Sequence, residues 1–282
     1  MADVRTLTLT CLRLLVVLYL PGWLTASSAQ TVGPETLYRD LAYRSESAAG
    51  EAGYERCRLD LVCPQDKPGF ATVVWFHGGG LSSGNRELPK GLRGKGVAIA
   101  GAGYRLYPDV KSPVYIEDAA AAVAWVLKNI EQYGGDPGRV VVAGHSAGGY
   151  LTLMVGLDPR WLQPHGLSPD RLAGLGPLSG QAITHFTIRE ERQIAAKQPI
   201  IDDLAPLFHV RRTAPPLLLV TGDRQLELLG RYEENAYLQR MLQEVEHADV
   251  ELFELQGYNH GEMAEPAFPL LLKFVNRVTA AK

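Results

Sequence analysis

The hydrophobic positions of this chain change period along its length. Short, nearly continuous apolar runs recur at Ala71–Trp75, Val97–Ala100, Val140–Ala143, Leu217–Val220 and Val250–Phe253. Between them, small or apolar residues fall at i, i+3, i+4 spacing over Ile116–Tyr133, Ala147–Leu157, Tyr232–Val245 and Ala264–Val278. Apolar runs without polar alternation suit strands buried on both faces. Strands alternating with helices predict an α/β fold, a mostly parallel central sheet with helices on both faces. No internal repeat or low-complexity linker interrupts the pattern, so one domain over 30–282 is the simplest organisation.

One stretch breaks the rhythm. From Asp158 to Arg212 the chain mixes Pro, His, Arg and scattered apolar residues with no long clean period. An insertion between core strands is expected there, forming a small cap or substrate pocket over 158–212. A plain surface excursion is the alternative.

The first thirty residues differ again. Arg5 and Arg13 precede an apolar core from Leu14 to Leu20, which Pro21 and Gly22 end, and Ala26, Ser27, Ser28 and Ala29 follow. That succession reads as a secretory signal peptide over 1–29, with cleavage near Ala29 and a secreted or periplasmic product. The apolar stretch falls short of the roughly 20 residues of a membrane span. No stable membrane association is expected after cleavage.

Composition narrows the classes. Of 282 residues, 46% are hydrophobic and 21% charged, with a formal net charge of -3. These are globular proportions, and no basic run marks a nucleic-acid partner. Cys57 and Cys63 sit six apart in a stretch reading as a strand (Tyr54 to Val62). An extended strand would hold them about 20 Å apart, too far to pair.

Two motifs carry chemistry. Gly144-His145-Ser146-Ala147-Gly148 follows one predicted strand and opens a predicted helix. A serine on so sharp a turn is lifted clear of the sheet edge at the positive end of a helix. Gly144 and Gly148 are required because side chains there would collide with neighbouring backbone. His77-Gly78-Gly79-Gly80 follows another strand. Its unshielded N–H groups, from Gly78 and Gly79, together with that of Ala147, would form an oxyanion hole. Gly80 extends that loop, and the His77 ring is expected to brace it. A phosphate cradle would want a Lys and a Ser or Thr at the helix end, and neither stands there.

These motifs, with Tyr104-Arg105-Leu106-Tyr107-Pro108 and Gly135-Asp136-Pro137-Gly138-Arg139, resemble the hormone-sensitive-lipase-like esterases. The chain resembles still more the compact bacterial esterases grouped with feruloyl and acetyl-xylan esterases (BD-FAE-like). The resemblance spans nearly the whole chain after the leader. It implies the α/β-hydrolase fold and a serine carboxylesterase acting on small or medium esters through an acyl-enzyme, with no cofactor and no metal. The partner expected is a small-molecule ester. An arylformamidase-like amide hydrolase and a non-catalytic binding protein on the same fold are the alternatives.

The resemblance also orders the triad as Ser, acid, His. His260, in Gly257-Tyr258-Asn259-His260-Gly261 just past the last predicted strand, stands where the family keeps its base. His145 is read as lying beside the serine, and His247, among Glu244, Glu246 and Asp249, as a solvated surface residue. His165, His185 and His209 fall in or near the insertion. The acid belongs to the turn after Leu217–Val220. Many relatives carry it three residues beyond the glycine, where this chain has Gln225. Asp223, the nearest carboxylate, is the expected acid; Glu227 and a carboxylate-free Ser–His pair are the alternatives. Catalytic Ser146, His260 and Asp223 form the expected constellation.

Two further patterns carry nothing. Gly91, Gly94, Gly96, Gly101 and Gly103 do not open a helix, which a dinucleotide loop requires. Trp125 reads as packing.

Overall fold

The computed structural model describes residues 34–45, 50–65, 67–195, 197–228 and 230–280. The signal peptide expected over 1–29 lies outside them. A single eight-stranded sheet organises these residues in the order β1-β2-β4-β3-β5-β6-β7-β8. Its strands are β1 (Glu35–Ala42), β2 (Arg58–Pro64), β3 (Phe70–Phe76), β4 (Ala98–Ala102), β5 (Gly135–His145), β6 (Gly174–Leu178), β7 (Leu217–Gly222) and β8 (Val250–Leu255). From β4 through β8 neighbouring strands are parallel, whereas β1 and β2 run antiparallel at one edge.

The apolar runs form the middle of this sheet for the expected reason. All seven residues of β3 are buried. Val74 and Phe76 join one hydrophobic core and Val73 and Trp75 the other, because alternate residues of a strand face opposite sides. On the first side pack α1 (Val114–Asn129), α2 (Ala147–Leu157) and α4 (Arg231–Glu244), through residues such as Ile116, Leu151 and Leu238. On the second packs α5 (Ala264–Val278), whose Phe268 meets Trp75 edge-on at 5.6 Å between ring centres. Among the described residues no helix is long and apolar enough to cross a membrane.

The segment expected to be one cap insertion, 158–212, is instead divided by a core strand. β6 lies inside it, fully buried between β5 and β7. Its sequence, Gly174-Leu175-Gly176-Pro177-Leu178, has no β-branched residue and a proline, so it carries no strand signal. The glycines are there for α5: a Cβ at Gly174 would stand 2.7 Å from Phe274 Cζ, and one at Gly176 2.4 Å from Leu271 Cδ1. What inserts is therefore two pieces, short 3-10 turns before β6 and the stretch after it. The second piece contains the short helix α3 (Phe186–Glu191).

Cys57 precedes β2 and Cys63 lies within it; both are buried free thiols. Burial pushes Cys57 up to about 11 and Cys63 up to about 12, which leaves them as packing residues.

Candidate active site

The glycine loop after β3, Ser146 after β5, the turn after β7 and His260 after β8 converge at the carboxyl ends of the parallel strands. β5 ends at His145 and α2 begins at Ala147, so Ser146 alone reverses the chain, at φ 57° and ψ -115°. A non-glycine residue held there stores strain on the order of 1–3 kcal/mol. The surroundings hold it. Ser146 N–H donates to Leu178 O (2.8 Å), and Ser146 O accepts from Tyr150 N–H (3.0 Å). The turn closes so tightly that a Cβ at Gly148 would stand 2.0 Å from Phe76 O, and one at Gly144 2.6 Å from the backbone of Gly148. The sequence reading that both must be glycine has this steric cause.

His260 Nε2 lies 2.8 Å from Ser146 Oγ. The opposite ring nitrogen, Nδ1, lies 2.8 Å from Glu227 Oε2. Nδ1 faces a carboxylate and therefore carries the proton, which leaves the Nε2 lone pair to accept from the serine hydroxyl. Ser146 is 7% exposed.

The acid expected from sequence was Asp223, and here the structure corrects the placement. Asp223 Oδ1 accepts from Gln225 N–H (2.9 Å) and Oδ2 from Gly257 N–H (2.9 Å). Its own N–H donates to Tyr258 O (2.8 Å). Asp223 thus ties the turn after β7 to the loop carrying His260, and both of its oxygens are used there. The turn then folds over it, with Leu226 and Glu227 N–H both donating to Asp223 O at 2.8 Å. That winding directs Glu227 inward, with its side chain 1% exposed. Gln225, at the position where the resemblance would put the acid, is exposed. Glu227 lies four residues ahead of α4, which begins at Arg231.

Glu227 is held as an anion. Burial alone would raise its carboxyl, but hydrogen bonds from His260, Ser179 and Gly222 N–H outweigh this and bring it down to about 2. Ser179 donates to Oε1 at 2.6 Å and Gly222 N–H at 2.9 Å; Leu228 N–H reaches Oε2 at 3.1 Å. Ser179 Oγ also stands 3.0 Å from His260 Nδ1. The sequence reading missed Ser179. It directly follows β6, the strand with no signal of its own.

The glycine loop closes the other side. A Cβ at Gly78 would meet Ser146 Cβ at 3.4 Å, so this backbone lies against the nucleophile. Among the described residues the N–H groups of Gly78 and Gly79 make no turn or loop hydrogen bond, and the N–H of Ala147 lies in the first turn of α2. Two of them sit beside the amino end of α2, where the helix adds partial positive charge. The His77 ring braces the loop, as read: Nδ1 lies 2.6 Å from Gly78 O, and the ring stacks on Tyr104 at 4.4 Å. Burial pulls His77 down to about 4. Gly80 is covered by the insertion, since Thr187 Oγ1 donates to Gly80 O and Phe186 Cζ lies 3.1 Å from where a Gly80 Cβ would be.

The other histidines take supporting places. His145 donates from Nε2 to His260 O (2.8 Å), joining the elbow to the base loop. Burial first, then the neighbouring His260, pull it down to about 4. His185 is buried and caps α3 by accepting from Thr187 N–H (3.2 Å). His247, read as solvated, is instead 9% exposed, with Nε2 2.9 Å from Ala214 O. Among the described residues no three His, Cys, Asp or Glu side chains are grouped to hold a metal ion.

The BD-FAE family model matches residues 59–163. The chain is 29% identical over 206 residues to the esterase LipC of Mycobacterium tuberculosis, covering 67% of this chain and 50% of that protein. It is 37% identical over 136 residues to esterase LipI of the same organism, covering 46% and 41%. The chain spans about half the length of the curated relatives it matches. Among solved structures, a truncated carbohydrate esterase from gut microbiota superposes with a TM-score of 0.74 at 17% identity, covering 87% of this chain and 97% of that one. A Thermogutta terrifontis esterase with propionate bound gives 0.66 at 22% identity, covering 90% and 98%. The chain has the α/β-hydrolase fold and resembles the BD-FAE-like and hormone-sensitive-lipase-like esterases.

Proposed function

We propose that this protein is a serine carboxylesterase with Ser146 as nucleophile, His260 as base and Glu227 as acid. One observation carries the reading: a continuous relay from Ser146 Oγ to His260 Nε2 (2.8 Å) and from His260 Nδ1 to Glu227 Oε2 (2.8 Å). It is supported by curated relatives named as esterases and carboxylic ester hydrolases.

In the reaction, Ser146 Oγ attacks the acyl carbonyl while His260 Nε2 takes its proton. Glu227 balances the imidazolium and keeps the proton on Nδ1. The oxyanion is received by the N–H groups of Gly78, Gly79 and Ala147; losing one such donor costs on the order of 10²–10³ in rate. His260 then protonates the departing alcohol. Water, deprotonated by the same ring, cleaves the acyl-enzyme. His77 and His145, buried and pulled to about 4, stay neutral near neutral pH and leave His260 to serve as the base.

Turnover of short-chain chromogenic esters by the wild type and by Ser146→Ala tests this. The variant should lose about 10⁶-fold in kcat, and a fluorophosphonate probe should label the wild type only. Equal turnover by both would sink the reading. A panel of acetyl, butyryl, feruloyl and formyl-amide substrates separates ester from amide hydrolysis, with small or medium esters expected to be fastest. For residues 1–29 the reading is a secretory leader, supported by the charge–apolar–small succession. Sequencing the amino terminus of exported protein should find a start close to residue 30.

A further inference from the structure

We infer that Ser179 is a positioning residue for the acid and base. Its hydroxyl bridges Glu227 and His260 and holds the carboxylate where the imidazole needs it. This rests on the serine-hydrolase reading above, but the geometry that motivates it lies outside the three-residue relay.

Glu227 reaches inward from a turn whose neighbours Leu226 and Leu228 are 52% and 46% exposed. A glutamate side chain has one more rotatable bond than aspartate, and ordering it costs more conformational entropy. An acid displaced onto so long a side chain and so exposed a turn needs a tether from the rigid sheet. Ser179 is that tether. It follows β6 directly, is 0% exposed, and its hydroxyl donates to Glu227 Oε1 at 2.6 Å. This leaves Oε2 for His260 Nδ1–H, and the serine lone pairs face the same N–H at 3.0 Å. With Nδ1 flanked by two acceptors, the ring is held in the tautomer that presents Nε2 to Ser146.

Ser179 is itself fixed from every side. Its N–H donates to Val220 O (2.6 Å), on β7, the strand that leads to the acid's turn. Its carbonyl accepts from the guanidinium of Arg231, which is buried at the start of α4. The next carbonyl, Gly180 O, accepts from Asn235 Nδ2 (2.8 Å). Its backbone stands at φ 48°, a left-handed conformation that a non-glycine residue adopts only when held. β7 and α4 therefore fix the backbone of Ser179, and its hydroxyl meets the turn after β7 at Glu227 and the loop after β8 at His260. Packing alone would be met by alanine, whereas the two short contacts require the oxygen.

The test uses two single variants, Ser179→Ala and Ser179→Gly; the second also relieves the left-handed backbone. Each should lower kcat about ten- to a hundredfold, the range for losing a hydrogen bond to a charged group, with KM nearly unchanged. The low-field proton resonance of His260 Nδ1–H should shift or broaden in both while the melting temperature holds. In a Glu227→Gln background, removing the hydroxyl should have little further effect, because the carboxylate charge that it positions against His260 is already gone. The inference is overturned if both variants keep wild-type kcat and an unmoved Nδ1–H resonance. It is equally overturned if Ser179→Ala loses as much in the Glu227→Gln background as in the wild type. If Ser146→Ala turns over as fast as wild type, the hydrolase reading fails instead. The resonance, which needs no turnover, still decides whether Ser179 positions the pair.

Discussion

Two turns at the carboxyl ends of parallel strands build most of this site, and they encode their side chains in opposite ways. Between β5 and α2 a single residue reverses the chain. Ser146 is fixed by backbone packing that its glycines announce: glycines on both sides, a helix that starts at once, and a Gly148 whose Cβ would stand 2.0 Å from Phe76 O on β3. Between β7 and α4 lie eight residues, 223–230, that carry two carboxylates. Which of them faces His260 is set by partners distant in sequence: Gly257 and Tyr258 claim Asp223, while Ser179 and His260 claim Glu227. A one-residue turn leaves no choice of side chain, and the glycines that let it pack mark it along the chain. A longer turn specifies it from neighbours in space.

The sharpest way to break this contrast is to neutralise each carboxylate separately. Glu227→Gln should lower kcat about 10⁴-fold, as loss of a triad carboxylate does, with the fold intact by circular dichroism. A variant retaining most of its activity would return the acid to another residue. The steric half of the contrast is tested by Gly148→Ala. Its Cβ would meet the Phe76 carbonyl, part of a central strand that cannot yield, so stability should fall by more than about 3 kcal/mol in denaturant unfolding. A variant as stable as wild type would mean the elbow is less constrained than its geometry.

A third measurement asks how far the elbow depends on the base loop. His145 is pulled from 6.5 to about 4 in the folded protein, chiefly by burial. A group with a depressed folded value contributes stability above its unfolded value and loses it as pH falls. Stability should therefore decline from pH 6.5 toward pH 4, by up to about 3 kcal/mol from this residue. His77, also pulled down to about 4, contributes in the same window, so His145→Gln should reduce that slope without abolishing it, and an unchanged slope would remove His145 from the account. Glu227 acts lower, between its ordinary 4.5 and about 2, so the two windows are separable. The smallest effect belongs to Asp223→Asn. It keeps one acceptor and loses the other, so about 1 kcal/mol of stability should go while kcat stays within about tenfold of wild type. A drop as large as that of Glu227→Gln would reverse the assignment of the two carboxylates.

Much of the sheet was legible because β-branched, uninterrupted apolar runs have few other uses. The predicted runs at Ala71–Trp75 and Leu217–Val220 fall inside β3 and β7, and helix α2 has the bounds its periodicity gave. β6 was invisible, since its composition answers to α5 packed across it and not to strand propensity. That failure carried two others with it. A core strand was absorbed into a presumed cap, and Ser179, just past that strand, went unread. His247 was misplaced because its charged neighbours along the chain say nothing of Ala214, the residue it meets in space.

The sequence by itself determined the α/β layering, the strained serine turn and the glycine loop beside it. Each follows from short-range rules: strand burial, helix period, and the absence of Cβ atoms where backbone must approach backbone. Only the tertiary structure decided which carboxylate faces His260, and that Ser179 stands between them. Those contacts join residues 33 to 81 positions apart in the chain, and no local pattern constrains a distance that the sheet alone sets.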